Sequence, residues 1–168
     1  ELKTDQGSLD TSAPGTHILL GNAPEEIRIG GVIHQELSRT YGVSVPSRTH
    51  ASPATVGNTI LLGRSDTLPR IESELAKRGL SERFSALPPE GYIVVVEPNL
   101  AILAGKDGRG TYYAARTFLQ LTAHGARRDR SPDAPCCTII DWPDKPVRGY
   151  MIFTSGWPQD PLTEDMLK

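Results

Sequence analysis

The glycine-rich stretch GKDGRG, residues 105–110, has the residue types that most invite a chemical interpretation. A glycine-rich turn ahead of a helix can present free backbone amides to a phosphate group. The spacing argues against that use, because a phosphate-binding loop requires GxxxxGKS or GxxxxGKT, and a dinucleotide fingerprint requires GxGxxG after its strand. We therefore predict a tight turn in which Asp107 caps the next helix. A small nucleotide-binding α/β protein built on this turn is kept as an alternative hypothesis.

The other reactive side chains are scattered along the sequence. Its four histidines lack the HxxxH or HxH spacing of a metal site, and no GxSxG motif marks a nucleophilic serine. The acidic pairs Glu25-Glu26, Glu72/Glu74 and Glu164-Asp165 have the spacing typical of solvated helix surfaces. Cys136 and Cys137 are adjacent, which favours two small apolar strand residues over a disulfide. The sequence thus predicts no catalytic residue, no metal site and no cofactor.

Size and charge exclude several classes of protein. A chain of 168 residues and 18.3 kDa is long enough for one domain with a sizeable core. Its net charge of −2 gives no electrostatic basis for binding nucleic acid or an anionic membrane. No apolar stretch approaches the ~20 residues that span a bilayer. We expect neither nucleic acid nor membrane as a partner.

Residues 90–123 hold the segment around which the fold is expected to form. Two apolar runs, Ile93–Val96 and Leu100–Ala104, flank the turn pair Pro98-Asn99 and predict neighbouring strands, as in a hairpin. After Asp107, apolar residues recur at helical spacing as far as Thr122. Two strands with a helix laid across them make a core-forming unit.

The segments before this unit alternate between strand and helix. Residues 1–15 are almost entirely polar and are predicted to be a disordered leader. The elements after this leader are predicted as a strand at 16–20, a helix at 24–41 capped by Asn22, short strands at 43–45 and 59–62, a helix at 69–77 and a loop at 81–89. The tetrapeptide ILLG occurs twice, at 18–21 and 60–63, each time ahead of a helix. Duplication of one unit is the less favoured explanation, because short apolar strands converge easily.

The C-terminal part is predicted to begin a second unit. A loop at 125–135 leads to a strand at 136–140 and then to a proline-bearing linker at 141–146. Residues 147–153 form a fresh apolar strand, and Thr163 with the acids after it resembles the first turn of a helix. We expect the chain to be truncated within the opening strand–helix unit of another α/β domain.

The order of these motifs resembles a known family. The run EGY–strand–strand, then AGKDGRGTYYAARTFLQL, then IIDWPDKPVRG is similar to the junction between the non-catalytic N-terminal domain and the catalytic barrel of family 20 β-N-acetylhexosaminidases. Family 84 O-GlcNAcase-like hyaluronidases and family 67 α-glucuronidases carry a similar domain. The resemblance covers residues 16–153, and its specific part is Glu90 to Gly149. It implies an α+β domain with a mixed β-sheet and about three helices packed mainly on one face.

The resemblance also implies a function and a domain plan. The expected organisation is a leader at 1–15, a hexosaminidase-like accessory domain at 16–140, and a linker with the first strand of a truncated (β/α)8 barrel at 141–168. The catalytic acids would lie beyond Lys168 and would assist attack by the substrate's own acetamido group. This chain alone is then inactive, and its partners are its own barrel and, through it, a carbohydrate. Location outside the cytoplasm, secreted or periplasmic, is implied by the resemblance alone.

Four residues near the C-terminus carry the expected contacts. Trp142, Arg148 and Gly149 would be structural residues of the domain junction, and Trp157 would stack on a sugar ring or pack at the barrel mouth. Phe153 and Gly156 stand where the resemblance would place an acid and a sugar-gripping arginine, so the family's substrate-binding residues do not carry over at these two positions. The alternative hypothesis is a self-contained carbohydrate- or protein-binding module without a catalytic partner.

Overall fold

The computed structural model describes residues 1–49, 57–129 and 132–145 of the chain. The strands are β1 (Leu2–Asp10), β2 (His17–Leu20), β3 (Ser47–Arg48), β4 (Thr59–Gly63), β5 (Tyr92–Glu97), β6 (Leu100–Gly105) and β7 (Asp133–Asp141). The helices are α1 (Pro24–Tyr41), α2 (Pro69–Lys77), α3 (Ser81–Ser85) and α4 (Gly108–Asp129). The described strands form a single mixed sheet in the order β1-β7-β5-β6-β4-β2-β3.

Strand direction brings several strand ends to one edge of the sheet. Strands β3, β2, β4 and β6 are parallel, whereas β5 runs antiparallel to both β6 and β7. Because β5 is antiparallel to both its neighbours, β7 points the same way as β6. The carboxyl ends of β2, β4, β6 and β7 therefore lie along the same edge, which we call the carboxyl edge.

The sheet is buried on both faces, which explains its continuous apolar runs. Val94 and Leu103 pack on the face covered by α1 and α4, and their neighbours Ile93 and Ile102 pack on the face covered by α2 and α3. The α+β class and the mixed sheet are confirmed. The structure refines the helix arrangement: the two long helices share one face, and the two short helices lie on the other.

The predicted central unit is present. β5 and β6 pair in register from Tyr92↔Gly105 to Glu97↔Leu100, so Pro98 and Asn99 form the connecting turn. Helix α4 places Ala114, Ala115 and Phe118 on the sheet, with Phe118 fully buried. The helix continues to Asp129 and takes up part of the segment predicted as a loop.

The prediction of a disordered leader at residues 1–15 is wrong. Strand β1 pairs antiparallel with β7, from Leu2↔Ile139 to Asp10↔Asp133, with a bulge between Thr4 and Ser8. A polar strand can be held at a sheet edge because backbone hydrogen bonds, rather than side-chain burial, supply its attachment. Leu9 is the residue through which this strand joins the apolar core.

Three local predictions also differ from the structure. The residue that caps α1 is Ala23 rather than Asn22, and its amide donates a hydrogen bond to the carboxylate of Glu26, 3.2 Å away. The predicted loop at 81–89 contains helix α3. The short strand expected at 43–45 lies at 47–48 instead, although Val45 is fully buried. Val45 is therefore buried in the core without being part of a strand.

Candidate functional site

The turn after β6 is closed by its own aspartate. The Asp107 side chain accepts a hydrogen bond from the Gly110 amide at 2.9 Å through Oδ1, and another from the Glu90 amide at 2.8 Å through Oδ2. The carboxylate therefore occupies the helix start where a phosphate would need free amides. The predicted cap is confirmed, and the geometry disfavours a nucleotide site on residues 105–110.

A second group at the carboxyl edge is the Glu26 cluster, which consists of Glu26, Arg64, Thr67 and the amide of Ala23. Glu26 has no exposed surface. Its carboxylate accepts hydrogen bonds from Thr67 Oγ1 at 2.6 Å, the Arg64 amide at 3.1 Å and the Ala23 amide at 3.2 Å. Such a buried charge is tolerated because backbone and hydroxyl donors satisfy it.

The repeated ILLG tetrapeptide explains where this carboxylate fits. The two copies lie side by side in parallel register, with Ile18 opposite Ile60 and Leu20 opposite Leu62. A Cβ on the glycine ending the first copy, Gly21, would lie 2.0 Å from Glu26 Oε2. Gly21 and Gly63, which end the two copies, have no side chain and therefore leave space for the buried carboxylate of Glu26.

The sequence interpretation of the acidic pairs as solvated is wrong for two residues. Glu26 is fully buried, and Glu74 is 9% exposed and pairs with Lys77 and Arg78. Hydrogen bonds from Lys77 and Arg78 hold the pKa of Glu74 below its ordinary value. Both acids are held by their own chain, so they serve the fold.

The described residues offer no metal centre and no membrane span. No group of three or more histidine, cysteine, aspartate or glutamate side chains is placed to hold a metal ion within residues 1–49, 57–129 and 132–145. In the same ranges, no helix combines the length and the apolar character needed to cross a bilayer.

A further candidate is a cleft where the chain leaves the sheet after β7. We call it the exit surface, a cleft of ≈ 270 Å³ lined by Tyr92, Tyr113, Arg116, Thr117, Gln120, Asp141, Trp142 and Pro143. Trp142 is 46% exposed, which is unusual for a large aromatic side chain in a folded domain. The exit surface therefore combines an aromatic side chain with polar groups able to bond a partner.

A hydrogen-bonded chain lies at the base of the exit surface. The Tyr92 hydroxyl donates to Asp141 Oδ2 at 3.0 Å and lies 2.8 Å from Thr117 Oγ1. Burial raises the pKa of the Tyr92 hydroxyl; Asp141 raises it further, and the hydrogen bond from Thr117 opposes the change. The hydroxyl is thus kept as a neutral donor at neutral pH.

A wider groove between α1 and α4 continues from the exit surface and shares Tyr113 with it. It has a volume of ≈ 940 Å³ and is lined by Glu25, Arg28, Ile29, Val32, Pro89, Glu90, Asp107, Gly108, Arg109, Tyr112 and Tyr113. Tyr112 is 43% exposed, and its ring lies 5.9 Å from that of Tyr113 at 59°. Its tyrosines and arginines are residue types enriched in protein interfaces. Its three acids, Glu25, Glu90 and Asp107, are already bonded to Arg64, Arg109 and the Gly110 amide.

The residues predicted from sequence are only partly placed. Trp142 lies at the surface directly after β7, and its role at a domain junction stays a prediction. Arg148, Gly149 and Trp157 lie outside the described residues, as do the strand predicted at 147–153 and the helix start at Thr163. Sequence reasoning missed Tyr92, Thr117 and Asp141, because the register of β5 against β7 brings Tyr92 to Asp141 and the packing of α4 on the sheet brings Thr117 to Tyr92.

A comparison with protein-family models decides the family. The model described as "Glycosyl hydrolase family 20, domain 2" matches residues 2–142. The chain belongs to this family. The match begins at the start of β1, so the edge strand is part of the domain, and it ends at Trp142.

Solved structures with the same fold include several glycosidases. β-Hexosaminidase from Streptomyces plicatus matches with a TM-score of 0.59 and 18% identity, covering 84% of this chain and 24% of the enzyme. The family 20 β-N-acetylhexosaminidase from Streptomyces coelicolor gives 0.59 and 17%, covering 86% and 25%. CpGH84D gives 0.63 and 14%, covering 89% and 24%. This chain thus spans about a quarter of the length of these proteins.

Proposed function

We propose that this family 20 domain is the accessory domain of a glycoside hydrolase and supports a catalytic (β/α)8 barrel that comes after it in the chain. The observation that carries the proposal is the match to domain 2 of the family over residues 2–142. This match ends one residue after β7, at the exit surface. No catalytic residue is assigned to the domain itself.

The supporting role rests on the surface around the chain exit. Trp142 lies three residues before residue 145, the last residue that the structure describes, and the exit surface shares Tyr113 with the groove between α1 and α4. The following domain is proposed to pack on this combined surface. Covering Trp142 and Tyr112 removes large aromatic area from water and stabilises the contact. Arg148 and Gly149 belong to the proposed junction, and Trp157 is proposed either to stack on a sugar ring or to pack at the barrel mouth.

The proposed substrate class is β-N-acetylhexosaminides. It is supported by family membership and by structural neighbours that are themselves β-hexosaminidases. In substrate-assisted hydrolysis the acetamido group of the substrate attacks the anomeric carbon as the leaving oxygen is protonated, and water then opens the cyclic intermediate. The two acids that assist these steps are proposed to lie in the barrel.

An activity assay tests the proposal. The 168-residue chain and the intact hydrolase that carries it would each be incubated with 4-nitrophenyl N-acetyl-β-D-glucosaminide and a panel of other aryl glycosides. We expect the chain to release no nitrophenol and the intact protein to cleave the amino sugar. Cleavage by the chain alone would contradict the accessory role. Cleavage of another sugar alone by the intact protein would contradict the substrate class.

A further inference from the structure

We propose that Tyr92, Thr117 and Asp141 form a lock that fixes the direction in which the chain leaves the sheet, with Tyr92 as a positioning residue for the next domain. The purpose of the lock rests on the proposed function, and its existence rests on the geometry of the exit surface.

The three residues of the lock come from three different elements. Tyr92 is the first residue of β5, Asp141 is the last residue of β7, and the two are paired across the strands. Thr117 comes from α4, which covers this face. The Tyr92 hydroxyl thus links its own strand both to helix α4, through Thr117, and to the last residue of β7, Asp141.

The two residues joined by the hydrogen bond, Tyr92 and Asp141, differ in how far they are buried. Tyr92 is 7% exposed, whereas Asp141 is exposed and precedes Trp142 directly. A buried tyrosine hydroxyl needs a partner, and it takes one on the residue that ends the strand. Its ring is fixed by the core, so the hydrogen bond transmits that fixed position to Asp141.

The residues after Asp141 are themselves restricted. Trp142-Pro143 continues the chain directly, and proline limits the backbone of the residue before it. An anchored Asp141 together with a restricted Trp142 leaves few directions open to the next residues. The lock therefore acts on orientation more than on the stability of the sheet.

Fluorescence of Trp142 tests the lock. In a W157F background Trp142 is the remaining tryptophan of the two in the chain. Losing one hydrogen bond shifts a local equilibrium about five-fold, so we expect Y92F to raise acrylamide quenching of Trp142 by about two-fold and to lower its anisotropy. D141A should behave like Y92F, and D141N, which keeps an acceptor oxygen, should restore the original values.

The controls separate the lock from a general loss of structure. Y112F alters an exposed ring in the groove outside the lock and should leave Trp142 unchanged. If Y92F fails to fold, D141A supplies the test, because Asp141 is exposed. Unchanged quenching and anisotropy in a folded Y92F or D141A variant would overturn the lock.

X-ray scattering of the intact hydrolase tests the positioning role. We expect Y92F to broaden the distribution of interatomic distances at unchanged mass, and an unchanged scattering curve would overturn that role. Failure of the proposed function would show differently, as an intact wild-type protein that cleaves no aryl glycoside.

Discussion

The Glu26 cluster and the exit surface lie along the same carboxyl edge of one sheet, yet they differ in how their polar groups are used. Glu26 is fully buried, and its carboxylate accepts hydrogen bonds from Ala23, Arg64 and Thr67. At the exit surface Trp142 is 46% exposed and Asp141 is also exposed. Buried polar groups whose hydrogen bonds are made within the chain indicate a structural role. Exposed aromatic side chains beside polar groups indicate a surface suited to a partner.

The same contrast bears on where a small ligand would bind. In open α/β sheets ligands lie at the carboxyl ends of the parallel strands. Here the ends of β2 and β4 are filled by Glu26, and the end of β6 is closed by Asp107. At these strand ends the chain's own carboxylates accept the hydrogen bonds of the backbone amides of Ala23, Arg64 and Gly110, which an anionic ligand would otherwise need.

The largest expected effect comes from removing the buried carboxylate. E26A removes an acceptor shared by the Ala23 amide, the Arg64 amide and the Thr67 hydroxyl. The Ala23 amide then loses its acceptor, and the other two donors keep only their 3.2 Å bonds to each other's residues. We expect the free energy of unfolding to fall by about 3 kcal/mol, measured by urea unfolding of the 168-residue chain.

Its neighbour provides the matched control. Glu25 sits one residue earlier, is partly exposed and pairs with Arg64 at 2.9 Å. E25A should change the unfolding midpoint little, since an exposed ion pair adds little to stability. Equal effects of E25A and E26A would break the proposed contrast between a buried structural acid and a surface acid.

A smaller effect is expected when the space beside that carboxylate is filled. In G21A the new Cβ would lie 2.0 Å from Glu26 Oε2 and 2.5 Å from Thr67 Oγ1, atoms already fixed by hydrogen bonds. We expect a loss of about 1–3 kcal/mol in thermal or urea unfolding.

A glycine-to-alanine change at Gly31 on α1 serves as the control for G21A. A Cβ there meets no atom within 4 Å, and its helical position favours alanine. G31A should therefore stabilise the chain by about 0.5–1 kcal/mol. A G21A variant as stable as G31A would show that the Glu26 cluster is not tightly packed.

The smallest effect on the isolated chain is expected at the exit surface. W142A removes a half-exposed side chain, so the free energy of unfolding of the 168-residue chain should change by less than about 0.5 kcal/mol. In the intact hydrolase the same change should lower the melting temperature clearly, because a covered aromatic contact is lost. A large loss in the isolated chain would place Trp142 in the domain core.

The sequence predicts the local elements well and the distant pairings poorly. The hairpin around Pro98-Asn99 and the Asp107 cap depend on neighbours within a few residues, and both are present. Strand β1 was missed because its partner β7 lies more than 120 residues away along the chain. Its polar sequence carries no periodic apolar signal.

The residues of the candidate site show the same difference between local features and distant pairings. Trp142 could be singled out from the sequence as a large apolar residue in a proline-bearing linker. Tyr92 and Asp141 could not, because they are 49 residues apart and meet only through the β5–β7 register. Glu26 looked like an ordinary helix acid, since its burial depends on two glycines from different strands.

Hydroxyl-radical footprinting of Trp142 tests the central claim most directly. Oxidation of Trp142 and Tyr112 would be compared between the 168-residue chain and the intact hydrolase, with Leu80 on the opposite face of the sheet as reference. If the exit surface and the adjoining groove support the catalytic domain, oxidation of both aromatic residues falls several-fold in the intact protein while Leu80 is unchanged. Equal oxidation of Trp142 in the two proteins would contradict the account.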